Sequence, residues 1–160
     1  MIQIAKTLGN GYQLDLMLTS PNKNYFSKIT SLVEGSQNVR LIPPVKFNEI
    51  IPFISKYGIG LYLLPPNNFN NIVALPNKFF EFIQARLCIV IGPSPEMMRY
   101  VNKFRLGIVS DNFNVEKMIT SLKSLTREEI TKYKMNANIA AQELSAENFN
   151  QLFIDSINKL

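Results

Sequence analysis

The chain is 160 residues long, 46% hydrophobic, with 17 Lys and Arg against 12 Asp and Glu, a formal net charge of +5, one cysteine and no histidine. That length buries one substantial core and leaves little for a second domain, so residues 1–160 read as a single domain. The basic residues are scattered, with no basic run and no aromatic-interleaved stripe, which excludes a nucleic-acid groove. The lone Cys88 sits inside an apolar run with no histidine to activate it, which excludes a His/Cys metal site and an activated thiol.

No apolar stretch approaches the ~20 residues of a membrane span, and the first residues lack the charged and apolar regions of a signal peptide. A cytoplasmic domain is the expectation.

In chain order, "MIQIAKTLGNGYQLDLML" reads as the last two turns of a helix, closed by Gly9 and Gly11, and then a first strand. The chain is therefore expected to start partway through a strand–helix–strand unit, with a strand and the loop after it missing. Strand-like runs recur at 13–19, 38–42, 58–64, 87–91 and 106–110. Most are apolar nearly throughout, as suits parallel strands covered on both faces. Between them, Phe26, Ile29 and Val33 share a helical face, Phe47, Ile50, Ile51 and Ile54 repeat at i, i+3, i+4 and i+7, and Val115, Met118, Ile119 and Leu122 do the same. Thr126 and Glu129 fit a capping box that opens a helix to about Leu144. Ser145 can cap a last helix carrying Phe149, Leu152, Phe153 and Ile157 to the terminus. The fold class expected is α/β: a Rossmann-like doubly wound parallel sheet of about five to six strands, with helices on both faces and a helical C-terminal tail.

In such a sheet ligands bind beyond the carboxyl ends of the strands. The loop "PPNNFNNIVALPNK", residues 65–78, is by far the longest there; most such connections run about 2–6 residues. It leads into a helix with Pro76 at or near the first helical position, so the amides of Asn77 and Lys78 are free to face an anion and Lys78 adds a positive charge. Glu81 follows Lys78 at i+3, where a carboxylate can accept two hydroxyl hydrogen bonds from a ribose. The same spacing also suits an ordinary surface ion pair of about 0.2–0.5 kcal/mol that implies no ligand, and the spacing alone leaves both readings open. A phosphoacceptor receiver needs clustered acids at the end of its first strand, whereas Asp15 lies inside a strand with nothing pairing with it, which speaks against such a site.

"LPNKFFEFIQARLCIVIG" resembles the Pro-x-Lys-x-x-Glu-[Tyr/Phe] segment, followed by an apolar strand, of the nucleotide-sugar-binding C-terminal half of GT-B glycosyltransferases, the retaining enzymes of bacterial surface polysaccharide synthesis. "NVRLIPPVKFNEIIPFISKYGIGLYLLPP" and "LGIVSDNFNVEKMITSL" are similar to its neighbouring segments, in the same succession, over roughly residues 2–125. The resemblance implies a donor-binding domain of an enzyme that moves a sugar from a nucleotide diphosphate sugar to a glycan, lipid or other acceptor. Glu81 would bind the ribose hydroxyls, and Asn77 and Lys78 the diphosphate or sugar. Pro44 and Val45 would hold the base, although their side chains equally well start a helix. The nucleotide sugar is the donor substrate, with neither cofactor nor metal required.

The resemblance also implies an N-terminal acceptor-binding domain absent from this chain, which makes the chain alone inactive. It leaves open peripheral association of the full-length enzyme with the inner membrane surface. The sequence departs from the family pattern in three places. Val73 stands where many members carry a first glutamate, Arg86-Leu87 replaces a glycine-proline, and the basic pair that clamps the diphosphate would precede Met1. Two alternatives stay open: a non-catalytic flavodoxin-like regulatory or interaction module, and half of a sugar-nucleotide epimerase.

Overall fold

The computed structural model describes the backbone of residues 1–157 and their side chains except at 151–153 and 156. All five expected strands form: β1 (Leu14–Met17), β2 (Val39–Ile42), β3 (Ile59–Tyr62), β4 (Cys88–Ile91) and β5 (Gly107–Val109). They do not make one sheet. β1 pairs in parallel with β2, and β3, β4 and β5 form a separate parallel sheet in that order. The expectation of one continuous sheet of five to six strands is corrected accordingly, because no backbone ladder joins β1 to β3.

The helices alternate with the strands as the apolar spacings require: α1 (Ile2–Leu8), α2 (Lys23–Val33), α3 (Ile50–Ile54), α4 (Phe69–Ile72), α5 (Asn77–Gln84), α6 (Pro95–Phe104), α7 (Val115–Ser124), α8 (Arg127–Glu143) and α9 (Ala146–Ile157). α1 closes at Gly9, whose positive φ of 74° with ψ −158° is backbone that favours glycine, and a 3-10 turn at Gly9–Gly11 leads into β1.

β4 divides the core. All four of its residues are buried, and alternation sends Ile89 and Ile91 to one face and Cys88 and Val90 to the other. On the first face, Phe79 and Ile83 of α5, Met97 and Val101 of α6, and the alanine row Ala137, Ala140 and Ala141 of α8 pack against it. On the second face, Ile4 of α1 meets Met118, Ile119 and Leu122 of α7. Cys88 is the small buried residue its sequence context suggested, and burial pushes its thiol pKa up to about 12. α8 opens with the expected capping box, Thr126 Oγ1 accepting from the Glu129 amide at 3.1 Å and Glu129 from the Thr126 amide at 2.9 Å. Ser145 Oγ accepts from the Asn148 amide at 3.2 Å, as its capping role requires.

The β1–β2 half is thinner. α2 and α3 bury no residue fully, Phe26 is exposed, and Phe47 is 84% exposed. A sheet two strands wide cannot cover an 11-residue helix, which is why the Phe26 face stays wet. The Phe47 to Ile54 repeat breaks for a local reason: a 3-10 turn at Phe47–Glu49 precedes a helix of 5 residues containing Pro52, so the apolar side chains never align on one long face. In the last helix Phe149 and Ile157 are half exposed. Leu152, Phe153 and the final three positions lie outside the described residues.

Candidate functional site

A cavity of about 460 Å³ runs between the two sheets. Its walls are the β1 segment from Gln13 to Met17 and the β3 segment from Ile59 to Leu61. Pro44 and Val45 line it from the loop after β2, and Lys78, Glu81 and Phe82 from α5. Four of the five candidate residues thus reach one space. Asn77 does not: it heads α5 but is exposed and forms no part of the wall.

The local chain explains these placements. Pro76 occupies the position just before α5, with φ −75° and ψ 151°, rather than the first helical position. The 65–78 loop is not structureless, because Asn68 Oδ1 accepts from the Asn71 amide at 2.9 Å and caps the single helical turn of α4. Gly60 of β3 allows α5 to press close. A Cβ there would stand 2.5 Å from Cγ of Phe82, so only glycine lets that ring lie on the strand.

Lys78 is exposed and Glu81 half buried. The ion pair their spacing permits is not formed: among the described residues neither side chain has a hydrogen-bond or salt-bridge partner. A half-buried carboxylate and an ammonium, both unengaged at one cavity, can accept hydroxyl protons and offer charge to an anion, respectively.

Asp15 is engaged by basic and phenolic side chains that its strand context did not reveal. Asp15 faces Arg40 across the β1–β2 register, and Arg40 donates to it twice, Nε to Oδ1 at 2.9 Å and Nη2 to Oδ2 at 2.8 Å. Tyr57 Oη donates to Oδ2 at 2.6 Å from the other side of the cavity, and Gln13 adds a longer bond to Oδ1 at 3.3 Å. The Asp15 side chain is only 4% exposed. The Arg40 hydrogen bonds, helped by Tyr57, hold its carboxyl below the usual carboxylate range, while burial and then the Asp15 bond push the Tyr57 phenol up to about 12. With its oxygens already engaged, this carboxylate is a brace between the sheets rather than a phosphoacceptor. Strand alignment could have found Asp15 opposite Arg40, since both sit second in strands of 4 residues. No sequence signal pointed to Tyr57, which arrives from 42 residues away.

Arg86 stands where the family resemblance expects glycine, and its backbone shows why glycine would suit: φ is 60°, in the left-handed region. The guanidinium offsets that strain by donating to Asn138 Oδ1 at 3.0 Å and to the carbonyl of Gln84.

Among the described residues no three His, Cys, Asp or Glu side chains gather as metal ligands, and no helix is long and apolar enough to cross a membrane. No protein-family model matches the chain, and no curated protein matches it significantly.

Proposed function

We propose that the chain is the donor-binding domain of a GT-B glycosyltransferase, holding a nucleotide diphosphate sugar in the cavity between its two sheets. The observation that carries this reading is the convergence of Pro44, Val45, Lys78 and Glu81, named from two separate sequence segments, on one space. The α5 N-terminus and Lys78 suit a diphosphate, whose negative charge gains from both the helix dipole and an ammonium. Glu81, without a partner in the described protein, suits the paired hydroxyls of a ribose. Val45 and the nearby Phe47 offer an apolar rest for a base.

Glycosyl transfer builds negative charge on the departing diphosphate, so groups that stabilise that charge are the main contribution of a donor half. On this reading the chain holds and orients the donor. The acceptor and any catalytic base belong to a partner domain across a cleft, and the parent sheet is doubly wound as the resemblance implies.

Titration of uridine and guanosine diphosphates, and of their sugar conjugates, is expected to shift the backbone amide resonances of Lys78 to Glu81 and of Pro44's neighbours. Glu81→Ala should weaken that binding by about 1–3 kcal/mol through loss of a charged acceptor, with unchanged thermal stability. Absence of any shift there at millimolar nucleotide overturns the reading.

A further inference from the structure

A second hollow, of about 300 Å³, lies between the last turn of α6, the start of β5 and the first half of α8. It shares no wall residue with the cavity between the sheets. Its polar lining is Asn102 and Arg105 from the α6 side and Glu129, Lys132 and Tyr133 from α8. The last three stand at i, i+3 and i+4, so a single face of α8 presents them together. Gly107 of β5 lines the hollow with backbone alone, because a Cβ there would collide with the carbonyl of Ile89.

The backbone of Arg105 sets this place apart. Its φ of 52° and ψ of 56° are left-handed, the conformation that glycine ordinarily supplies just past a helix. The turn is fixed on both sides. The Leu106 amide donates to the carbonyl of Val101 at 3.0 Å, and Asn136 Nδ2 of α8 donates to the carbonyl of Arg105 at 2.8 Å. Arg86, the other non-glycine residue with positive φ among the described residues, turns its guanidinium back onto Asn138 and Gln84. Arg105 does not: among the described residues its guanidinium has no hydrogen-bond or ion-pair partner, although Lys103, two positions earlier, pairs with Glu143 at 2.6 Å. An arginine thus stands in a glycine's conformation with nothing in the protein to bind, and strain of this kind points to a function outside the fold.

The surrounding groups indicate what it binds. The Lys132 ammonium, the Asn102 amide and the Tyr133 hydroxyl also lack side-chain partners among the described residues, and Glu129 commits only Oε2, to the Thr126 amide at 2.9 Å. A guanidinium fork holds a phosphate through paired hydrogen bonds, and an ammonium beside it adds a point charge. Glu129 would repel a bare anion but accepts readily from a hydroxyl, so the set suits a molecule that carries both groups. The volume, at the low end for ligand pockets, restricts that molecule to a small one.

We propose that this hollow binds a small hydroxylated phosphomonoester, with Arg105 and Lys132 on the phosphate and Glu129, Asn102 and Tyr133 on the hydroxyls. Titration with glycerol 3-phosphate, with glycerol and sulfate at matched ionic strength as controls, tests it. Only glycerol 3-phosphate should give saturating shifts of the Asn102, Arg105, Gly107 and Lys132 amide resonances. Arg105→Gly separates ligand from fold: relief of the left-handed strain should raise the Tm, while binding weakens about 10- to 100-fold through loss of a charged donor. Arg105→Lys keeps the charge without the fork and should recover only part of the affinity. Unchanged affinity in Arg105→Gly, an equal response to sulfate, or no saturable shift at millimolar glycerol 3-phosphate overturns the proposal. So does binding to phosphatidate vesicles with none in solution, which would make this face a lipid contact. No nucleotide enters the experiment, so its outcome is independent of donor binding.

Discussion

Asp15 divides its two oxygens among Arg40, Tyr57 and Gln13, and this gives the protein a defined dependence on pH. Its folded pKa is depressed, so its contribution is fully present above the unfolded value, about 4, and is lost as pH falls through the lower folded value. Tyr57 works in the other direction: its folded pKa is raised, so its contribution is present below 10 and lost as pH rises toward about 12. Asp15→Asn should cost about 1.5–3 kcal/mol at pH 7, the range for a hydrogen bond to a charged group. It should also flatten the stability curve below about pH 5, which denaturant titrations at stepped pH would measure. Unchanged acid sensitivity in the variant would mean that another carboxylate carries the effect. Lys78 and Glu81 could be read from the sequence because their chemistry lies in a short segment with regular spacing. Tyr57 could not, because its role exists only once the β2–β3 crossover has brought it across the cavity.

Among the elements, β3 and α5 approach closely at Gly60, where a Cβ would stand 2.5 Å from Cγ of Phe82. Gly60→Ala places a methyl against Cβ and Cγ of Phe82, atoms too close to the α5 backbone to swing away, so the helix must shift. The expected cost is about 1–3 kcal/mol, the usual range for overpacking, visible as a lower midpoint in urea. Because Phe82, Lys78 and Glu81 share α5, the same variant should weaken nucleotide binding if the cavity is the donor site. The sequence made the elements largely readable: all five strands and the α7 and α8 patterns follow from local periodicity and caps. It did not foresee how shallowly α2 and α3 are buried, because a 3.6-residue repeat records that a helix has an apolar side and says nothing about whether a sheet is wide enough to cover it.

For the whole molecule, the uneven distribution of buried side chains predicts uneven stability. The three-stranded half has a core on both faces of β4, whereas α2 and α3 bury nothing fully. Native-state hydrogen exchange should therefore find the α2 and β2 amides opening at lower free energy than those of β4, whose protection should approach the global value. Uniform protection across both halves would contradict this. Parallel strands were legible from their mostly apolar runs, but their division into two ladders was not, because composition carries no trace of which edges meet.

Asn38 adds a consequence of another kind. Its buried amide donates to the carbonyls of Ala5 at 2.6 Å and Gly9 at 2.9 Å, fastening the far end of α1 to the start of β2 while the body of α1 rests on α7. Across the cavity, α1 thus acts as a tie-rod, with the Tyr57–Asp15 contact as a second stay. No backbone ladder joins β1 to β3, so the spacing of the two sheets is held by these side-chain and helix contacts.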